Sequence, residues 1–253
     1  MTECPEDGNK MTQISSFQFK CTKKTHRKIY SSLNLSRIEK THLKIKDLIF
    51  LMYLWICEVS IKSILVMTSH SSDTINRAFK LFRKVIANNL NESKIMIGGE
   101  NVFVQLDESK FGKRKYQRGH KVEGVWVFGG VEITDDRKMF AVTVDKRDSE
   151  TLNKIILEHV LPGSIVITDG WKGYNLFKNN PNFQHHLVNP SISFINIDGY
   201  HTNHIEGTWN GIKSKIKPQS RIKGKMQGYL FEYIWRRRYQ KDLWNAFLLA
   251  LKQ

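Results

Sequence analysis

Two short apolar stretches of this chain each run directly into an aspartate, and this feature constrains the fold more than any other. Residues 102–106 alternate apolar and polar side chains before Asp107, and residues 165–168 are largely apolar before Asp169. Alternation predicts a strand with one buried face, whereas a continuous apolar run predicts a strand buried on both faces. We therefore expect two buried strands that carry acids to the edge of a sheet.

A third acid, Glu206, belongs to the same pattern, although we predict it to lie on a helix that begins near His201. A single aspartate at a strand end is usually a turn residue, but three acids converging from two strands and a helix predict a hard-oxygen site suited to Mg²⁺ or Mn²⁺. Helical spacing places an apolar stripe beside a polar stripe on this helix. The apolar stripe is Ile205, Trp209, Ile212 and Ile216, and the polar stripe is Glu206, Asn210, Lys213 and Lys217.

The order of the predicted elements indicates the fold class. Three strands, at residues 102–106, 125–133 and 139–144, precede a helix at 149–160 and the strand at 165–168. This order is that of an α/β, ribonuclease H-like mixed sheet flanked by helices, in which the first and fourth strands are neighbours. We expect this catalytic domain to cover residues 100–253.

The charge of the chain indicates its partner. It has 40 Lys+Arg against 24 Asp+Glu, a formal net charge of +16. Such an excess favours a polyanion, either nucleic acid or an anionic membrane surface. The longest uncharged apolar run, residues 48–57, is about half of a bilayer span, which argues against membrane insertion.

The N-terminal third is predicted to hold a tail and a small helical region. We expect residues 1–42 to form a basic, flexible tail, with a nuclear-targeting or DNA-contacting arm as the alternative. Residues 43–92 predict three helices, which we interpret as a helix-turn-helix-like DNA-binding region; a plain three-helix bundle is the alternative. The third of these helices, at residues 72–87, has Ile75, Phe79, Phe82 and Ile86 on one side and Asn76, Arg77, Lys80, Arg83 and Lys84 on the other.

The three cysteines, Cys4, Cys21 and Cys57, have no paired spacing, so we expect no disulfide framework and a reducing compartment. Cys4 and Cys21 are placed as in a zinc ribbon, but the Cys-x-x-Cys pair that such a site needs is missing. Whether they bind any metal stays open.

A loop dense in positive charge follows Asp107. Its basic side chains, together with the freedom of Gly112, are suited to binding phosphate groups, and an ordinary hydrophilic loop is the alternative. Lys213, on the same helix edge as Glu206, is a further candidate for a phosphate contact. The loop's candidates are Lys110, Lys113, Arg114 and Lys115.

Five blocks of the sequence, in order along the chain, resemble the Merlin family of cut-and-paste transposases and their bacterial insertion-sequence relatives with an ISXO2-like transposase domain. The blocks are DESKFGKRK at 107–115, WVFGGVE at 126–132, TDGW at 168–171, HTNHIEGTW at 201–209 and YLFEYIWR at 229–236.

The resemblance implies a DDE-type transposase that cleaves transposon ends and transfers the strand into target DNA. It implies Mg²⁺ or Mn²⁺ as cofactor, with Asp107 bridging two ions and Asp169 and Glu206 holding one each. The partners would be double-stranded DNA, both terminal inverted repeats and target, and further copies of the chain in at least a dimer. In a eukaryotic host the location would be the nucleus.

Three alternatives stay open at this point. The chain could be a non-catalytic DNA-binding protein derived from a transposase, or a metal-dependent nuclease without strand transfer. In addition, Asn203 lies one helical turn before Glu206, and some relatives use an amide as the third ligand, so Asn203 is the alternative to Glu206.

Overall fold

The computed structural model describes residues 3–15, 18–26, 28–31, 43–112, 124–188 and 203–252. The chain divides into two compact units, one of Met1–Asn89 with Lys241–Gln253 and one of Leu90–Gln240. Across these described ranges, no helix has the length and apolar character needed to span a membrane.

Ten strands and seven helices are named here in chain order. The strands are β1 Met11–Ser15, β2 Gln18–Cys21, β3 Ile29–Ser31, β4 Ile97–Gly98, β5 Phe103–Phe111, β6 Val125–Glu132, β7 Met139–Val144, β8 Val160–Leu161, β9 Ile165–Asp169 and β10 Gln184–Val188. The helices are α1 Ile45–Ile56, α2 Ile61–Met67, α3 Ser72–Glu92, α4 Ser149–His159, α5 Asn203–Lys215, α6 Met226–Arg238 and α7 Leu243–Lys252.

The second unit contains a mixed five-stranded sheet in the order β10-β9-β5-β6-β7. Strands β5, β6 and β7 are antiparallel neighbours, whereas β9 runs parallel to both β5 and β10. The first and fourth predicted strands, β5 and β9, are therefore adjacent, which confirms that part of the prediction.

Helices cover both faces of this sheet. Successive residues of a strand point to opposite faces of the sheet. On β6, Gly129 faces the Trp209 ring of α5, on one side of the sheet. The next residue, Gly130, faces Phe140 and Leu106 on the other side. Leu106 and Phe140 belong to the apolar cluster that also buries Leu152 and Ile156 of α4. The apolar stripe of α5 is buried, as predicted.

In the first unit, α3 buries the predicted apolar stripe, and the rings of Trp55, Phe82 and Phe247 meet at centroid distances of 5.6 Å. Phe247 lies on α7, so the C-terminal helix completes this helical core. Helix α3 also continues to Glu92, beyond the predicted end at Ala87.

Two expectations need correction. The predicted flexible tail at residues 1–42 instead contains an antiparallel three-stranded sheet of β1, β2 and β3 within its described part. Strands of three to five residues are too short to show a period in the sequence. Strand β5 also does not end at Asp107, because its pairing with β6 continues to Phe111 opposite Val125.

Candidate active site

Asp107 and Asp169 lie on adjacent parallel strands. The register of β5 and β9 pairs Val104 with Val166 and Gln105 with Ile167. Extending this register by two residues brings Asp107 opposite Asp169. The strand pairing therefore brings two of the three sequence-predicted acids together.

Trp209 orients the Asp107 carboxylate. Its indole Nε1 donates a hydrogen bond of 2.9 Å to Asp107 Oδ2. Gly129 is the partner of Asp107 in the β5–β6 register, and a Cβ atom there would lie 2.7 Å from the Trp209 ring. Because only glycine leaves this space, Gly129 allows the indole to pack against the sheet and reach the acid.

A second hydrogen bond fixes the start of α5 against β5. Gln105 is fully buried, and its Oε1 accepts a hydrogen bond of 3.0 Å from the backbone N–H of Ile205. Gln105 and Asp107 share one face of β5, while Ile205 and Trp209 are one turn apart on α5. These two bonds hold α5 against β5, and Glu206, exposed on the same helix, is close enough for its charge to act on Asp107.

The charges of the other two acids act on Asp107. Burial raises the pKa of Asp107 to about 6, and the negative charges of Asp169 and Glu206 act in the same direction. Hydrogen bonds from Trp209 and from the backbone N–H of Glu108 lower the pKa and only partly offset this effect. Oxygen donors with surplus negative charge fit a hard divalent cation, which would remove the repulsion.

The comparison with known protein families decides what kind of domain carries these acids. The profile of the ISXO2-like transposase domain family matches residues 96–238, more than half of the chain. The chain belongs to this family. An uncharacterized transposase-like protein of Haemophilus influenzae is 35% identical over 100 residues, which cover 39% of this chain and 80% of that protein.

A structural comparison adds nothing to this assignment. The crystal structure of the NurA nuclease from Sulfolobus solfataricus aligns with 72% of this chain and 58% of that chain at 14% sequence identity. The TM-score of 0.17 gives no support for a common fold.

The transposase domain holds a fourth carboxylate that the sequence reasoning missed. Burial raises the pKa of Glu108 to about 7, a hydrogen bond from Tyr174 lowers it, and the charges of Asp107 and Asp169 raise it. The Tyr174 hydroxyl donates to Glu108 Oε1 at 2.6 Å. Glu108 therefore belongs to the electrostatic surroundings of the predicted acids.

A group of cationic and aromatic side chains adjoins Glu108 and Asp169, and we name it the Arg147 cluster. The Arg147 guanidinium lies 3.5 Å from the Trp126 ring centroid and 4.9 Å from that of Trp171. Lys110 Nζ lies 5.5 Å from the Trp126 centroid. The backbone N–H of Trp171 donates to Asp169 Oδ1 at 3.1 Å, which ties the cluster to the acids.

The remaining candidates are distributed as follows. Lys213 lies on α5 with its Nζ 5.5 Å from the Phe111 ring centroid, and Asn203 is the first, exposed residue of α5. Arg77 and Lys80 are exposed on α3, and Arg83 is half-buried there. Lys113, Arg114 and Lys115 of the basic loop, and the expected helix start at His201, lie outside the described residues.

Asp107→Asn is expected to raise the free energy of unfolding at pH 8 in metal-free buffer by about 1–3 kcal/mol. The pKa of Asp107 is higher in the folded protein than in the unfolded chain. Ionised Asp107 therefore destabilises the fold, increasingly as pH rises from about 4 to about 6, and fully above that pH. Asparagine removes the charge and keeps an acceptor for Trp209.

Urea denaturation with EDTA at pH 4 and pH 8 would measure this difference. It should be small at pH 4, where Asp107 is protonated in the folded state and about half ionised in the unfolded chain. Asp136→Asn, in the exposed turn between β6 and β7, is the matched control. A stability difference that is the same at both pH values would contradict the electrostatic account.

Proposed function

We propose that this chain is a DNA transposase that cleaves transposon ends and transfers the freed strand into target DNA. In this proposal Asp107, Asp169 and Glu206 are the catalytic acids of a ribonuclease H-like DDE domain. The observation that carries it is the pair of hydrogen bonds that hold α5 against β5, where Asp107 and Asp169 lie on neighbouring parallel strands. The strand order and membership of the transposase family support the same proposal.

The acids suit two Mg²⁺ or Mn²⁺ ions, with Asp107 as the shared ligand and Asp169 and Glu206 holding one ion each. Such ions, when bound, activate the attacking oxygen and stabilise the leaving oxygen of a phosphodiester. Trp209 restricts Asp107 to one orientation, and Gln105 holds the first turn of α5. Both residues position ligands and would not touch the reacting phosphate.

The Arg147 cluster would bind a DNA phosphate beside the acids. A guanidinium whose flat face is covered by indole rings still has its N–H groups at the edge, where they can bind phosphate oxygens in pairs. The cluster is attached to Asp169 through Trp171, so a phosphate held there would be near Asp169.

The remaining contacts to DNA would come from the basic residues named from the sequence. On α3 the exposed basic side opposite the buried stripe would meet DNA, in a helix-turn-helix-like arrangement. In the transposase domain, phosphate contacts would come from Lys110, Lys113, Arg114, Lys115 and Lys213.

Two transposon ends must be brought together, so we also propose a homo-oligomer, at least a dimer. The narrower resemblance to the Merlin family and a nuclear location stay predictions.

Alanine at Asp107 or Asp169 is expected to lower Mg²⁺-dependent nicking of a transposon-end duplex by roughly 100-fold or more, because each change removes a metal ligand. Asp136→Ala is the matched control, and Glu108 cannot serve as one, because its pKa responds to both acids.

Glu206→Gln should also abolish nicking, while Asn203→Ala should lower it only modestly. The reverse result for this last pair would make Asn203 the third ligand.

The same assay separates the proposed transposase from its alternatives. A transposase joins a supplied pre-cleaved end to target DNA, a nuclease only nicks, and a DNA-binding protein derived from a transposase does neither. Nicking by either aspartate variant at the wild-type rate would refute the proposed site.

Arg147→Ala is expected to lower the nicking rate about 10-fold, the effect of losing one charge-assisted hydrogen bond to phosphate. The slope of log DNA affinity against log salt concentration should become shallower by about one, because one phosphate contact is lost. Arg147→Lys should restore the salt slope but not the full rate, because an ammonium cannot bind in pairs. The exposed neighbour Lys146→Ala is the control. An unchanged salt slope in Arg147→Ala would rule out the phosphate contact.

Charge reversal at Arg77 and Lys80 is expected to reduce the preference for transposon ends over unrelated DNA by roughly 10-fold, as loss of base-edge contacts does. The matched control is the same reversal at Lys46 and Lys62, exposed on α1 and α2. Competition binding at fixed salt would measure the preference. If DNA affinity falls equally for all sequences, α3 contacts only the phosphates and does not recognise the base sequence.

A further inference from the structure

The connection between α5 and α6 is strongly basic. Residues 213–225, which we name the basic turn, contain six basic residues and no acid. They are Lys213, Lys215, Lys217, Arg221, Lys223 and Lys225, and all but Lys213 and Arg221 are exposed. We propose that the basic turn binds the phosphates of target DNA, a second duplex beside the transposon end. This inference rests on the proposed transposase function.

Arg221 shapes the basic turn. Its Nε donates a hydrogen bond of 2.9 Å to the carbonyl oxygen of Ile216, and its Nη2 donates to the carbonyl oxygen of Lys213. These carbonyls lie at the C-terminal end of α5, where carbonyl groups lack partners within the helix. Arg221 therefore closes α5 and folds the chain back, and its guanidinium serves the backbone.

The backbone of the basic turn is ordered before any ligand binds. Pro218 begins a single 3-10 turn at Pro218–Ser220, in which the Ser220 N–H donates to the carbonyl oxygen of Lys217. Gly224 has a φ of 83°, in the region that favours glycine. Ordering a loop on binding costs free energy, so a turn that is already ordered binds a ligand more tightly.

Two contacts place the basic turn across one end of the five-stranded sheet. Lys213 Nζ lies 5.5 Å from the ring centroid of Phe111, the last residue of β5. Lys223 Nζ lies 2.7 Å from Oδ1 of Asp145, which directly follows β7. The strand register puts the end of β5 and the end of β7 on either side of the start of β6. The basic turn therefore runs along this end of the sheet, from α5 to the loop after β7.

This position brings the basic turn beside the proposed catalytic groups without reaching the reacting phosphate. Arg147, the proposed phosphate contact, lies two residues after Asp145 in the same loop. A helical rise of 1.5 Å per residue places Lys215, the last residue of α5, about 14 Å from Glu206 along the helix. Lysines at and beyond this helix end would contact phosphates other than the one that reacts.

Stabilisation of the helices does not explain the whole cluster of charge. Lysines at the C-terminal end of α5, such as Lys213 and Lys215, complement the helix dipole. Lys223 and Lys225, in contrast, directly precede α6, whose N-terminal end disfavours positive charge. Six cations without an acid also repel one another. A polyanion on this surface removes both costs.

The side chains of the basic turn favour target DNA over the transposon end. An end is recognised by its base sequence, which requires paired hydrogen bonds to base edges from arginine or amide side chains. Lysines are point charges on flexible stems, so they contact phosphates whatever the sequence. Arg221, the arginine of this segment, is engaged with the backbone of α5. A surface of this kind fits a duplex that lacks the terminal repeat.

The double change Lys217→Gln with Lys225→Gln removes two charges from the basic turn. Joining of a supplied pre-cleaved end to unrelated target DNA is expected to fall roughly 10-fold, because two phosphate contacts are lost. Nicking of the transposon-end duplex should stay within about two-fold, because the end is held elsewhere. Lys217→Arg with Lys225→Arg keeps both charges and should retain joining. The matched control is Lys154→Gln with Lys178→Gln, exposed elsewhere in the transposase domain.

Two results of this experiment would overturn the inference. An equal loss of nicking and joining would mean that the basic turn holds the transposon end. Joining at the rate of the unchanged chain would mean that the basic turn contacts no DNA during strand transfer.

A binding measurement without chemistry separates this inference from the proposed function. In EDTA, the chain is saturated with pre-cleaved end and titrated with a labelled duplex of unrelated sequence. For this second duplex, the slope of log affinity against log salt concentration should become shallower by about two in the Lys217→Gln, Lys225→Gln variant. Affinity for the end should not change. An unchanged slope overturns the inference whether or not the chain is active, whereas a shallower slope in a chain that neither nicks nor joins would refute only the proposed catalysis.

Discussion

The arrangement of the candidate active site depends on two hydrogen bonds that join α5 to β5. Gln105 holds the backbone of Ile205, and Trp209 holds the carboxylate of Asp107. A helix that carries an exposed acid gains nothing from bringing that acid towards two others, since like charges repel. The apolar stripe of α5 and these two bonds supply the attraction, and the absent side chain of Gly129 lets the indole approach.

The acids occupy a costly position in the folded protein. Asp107 and Glu108 are consecutive residues that point to opposite faces of β5, yet burial raises both pKa values. Tyr174 and Arg147 offset part of this cost for Glu108, as Trp209 does for Asp107. The sheet tolerates the strain because Val104 and Leu106, on the same strand, belong to a large apolar cluster. A cation at the acids would convert this repulsion into binding energy.

The sequence predicted those features that follow from hydrophobic periodicity or from the order of the elements. Examples are the adjacency of β5 and β9 and the buried stripe of α5. It could not show that β5 continues past Asp107, because Glu108 and Lys110 are polar and the pairing with β6 is a distant contact. Arg147 and Tyr174 lie far along the chain, and only the fold brings them to Glu108. Trp209 was predicted as a core residue, and its indole N–H could have indicated a polar partner.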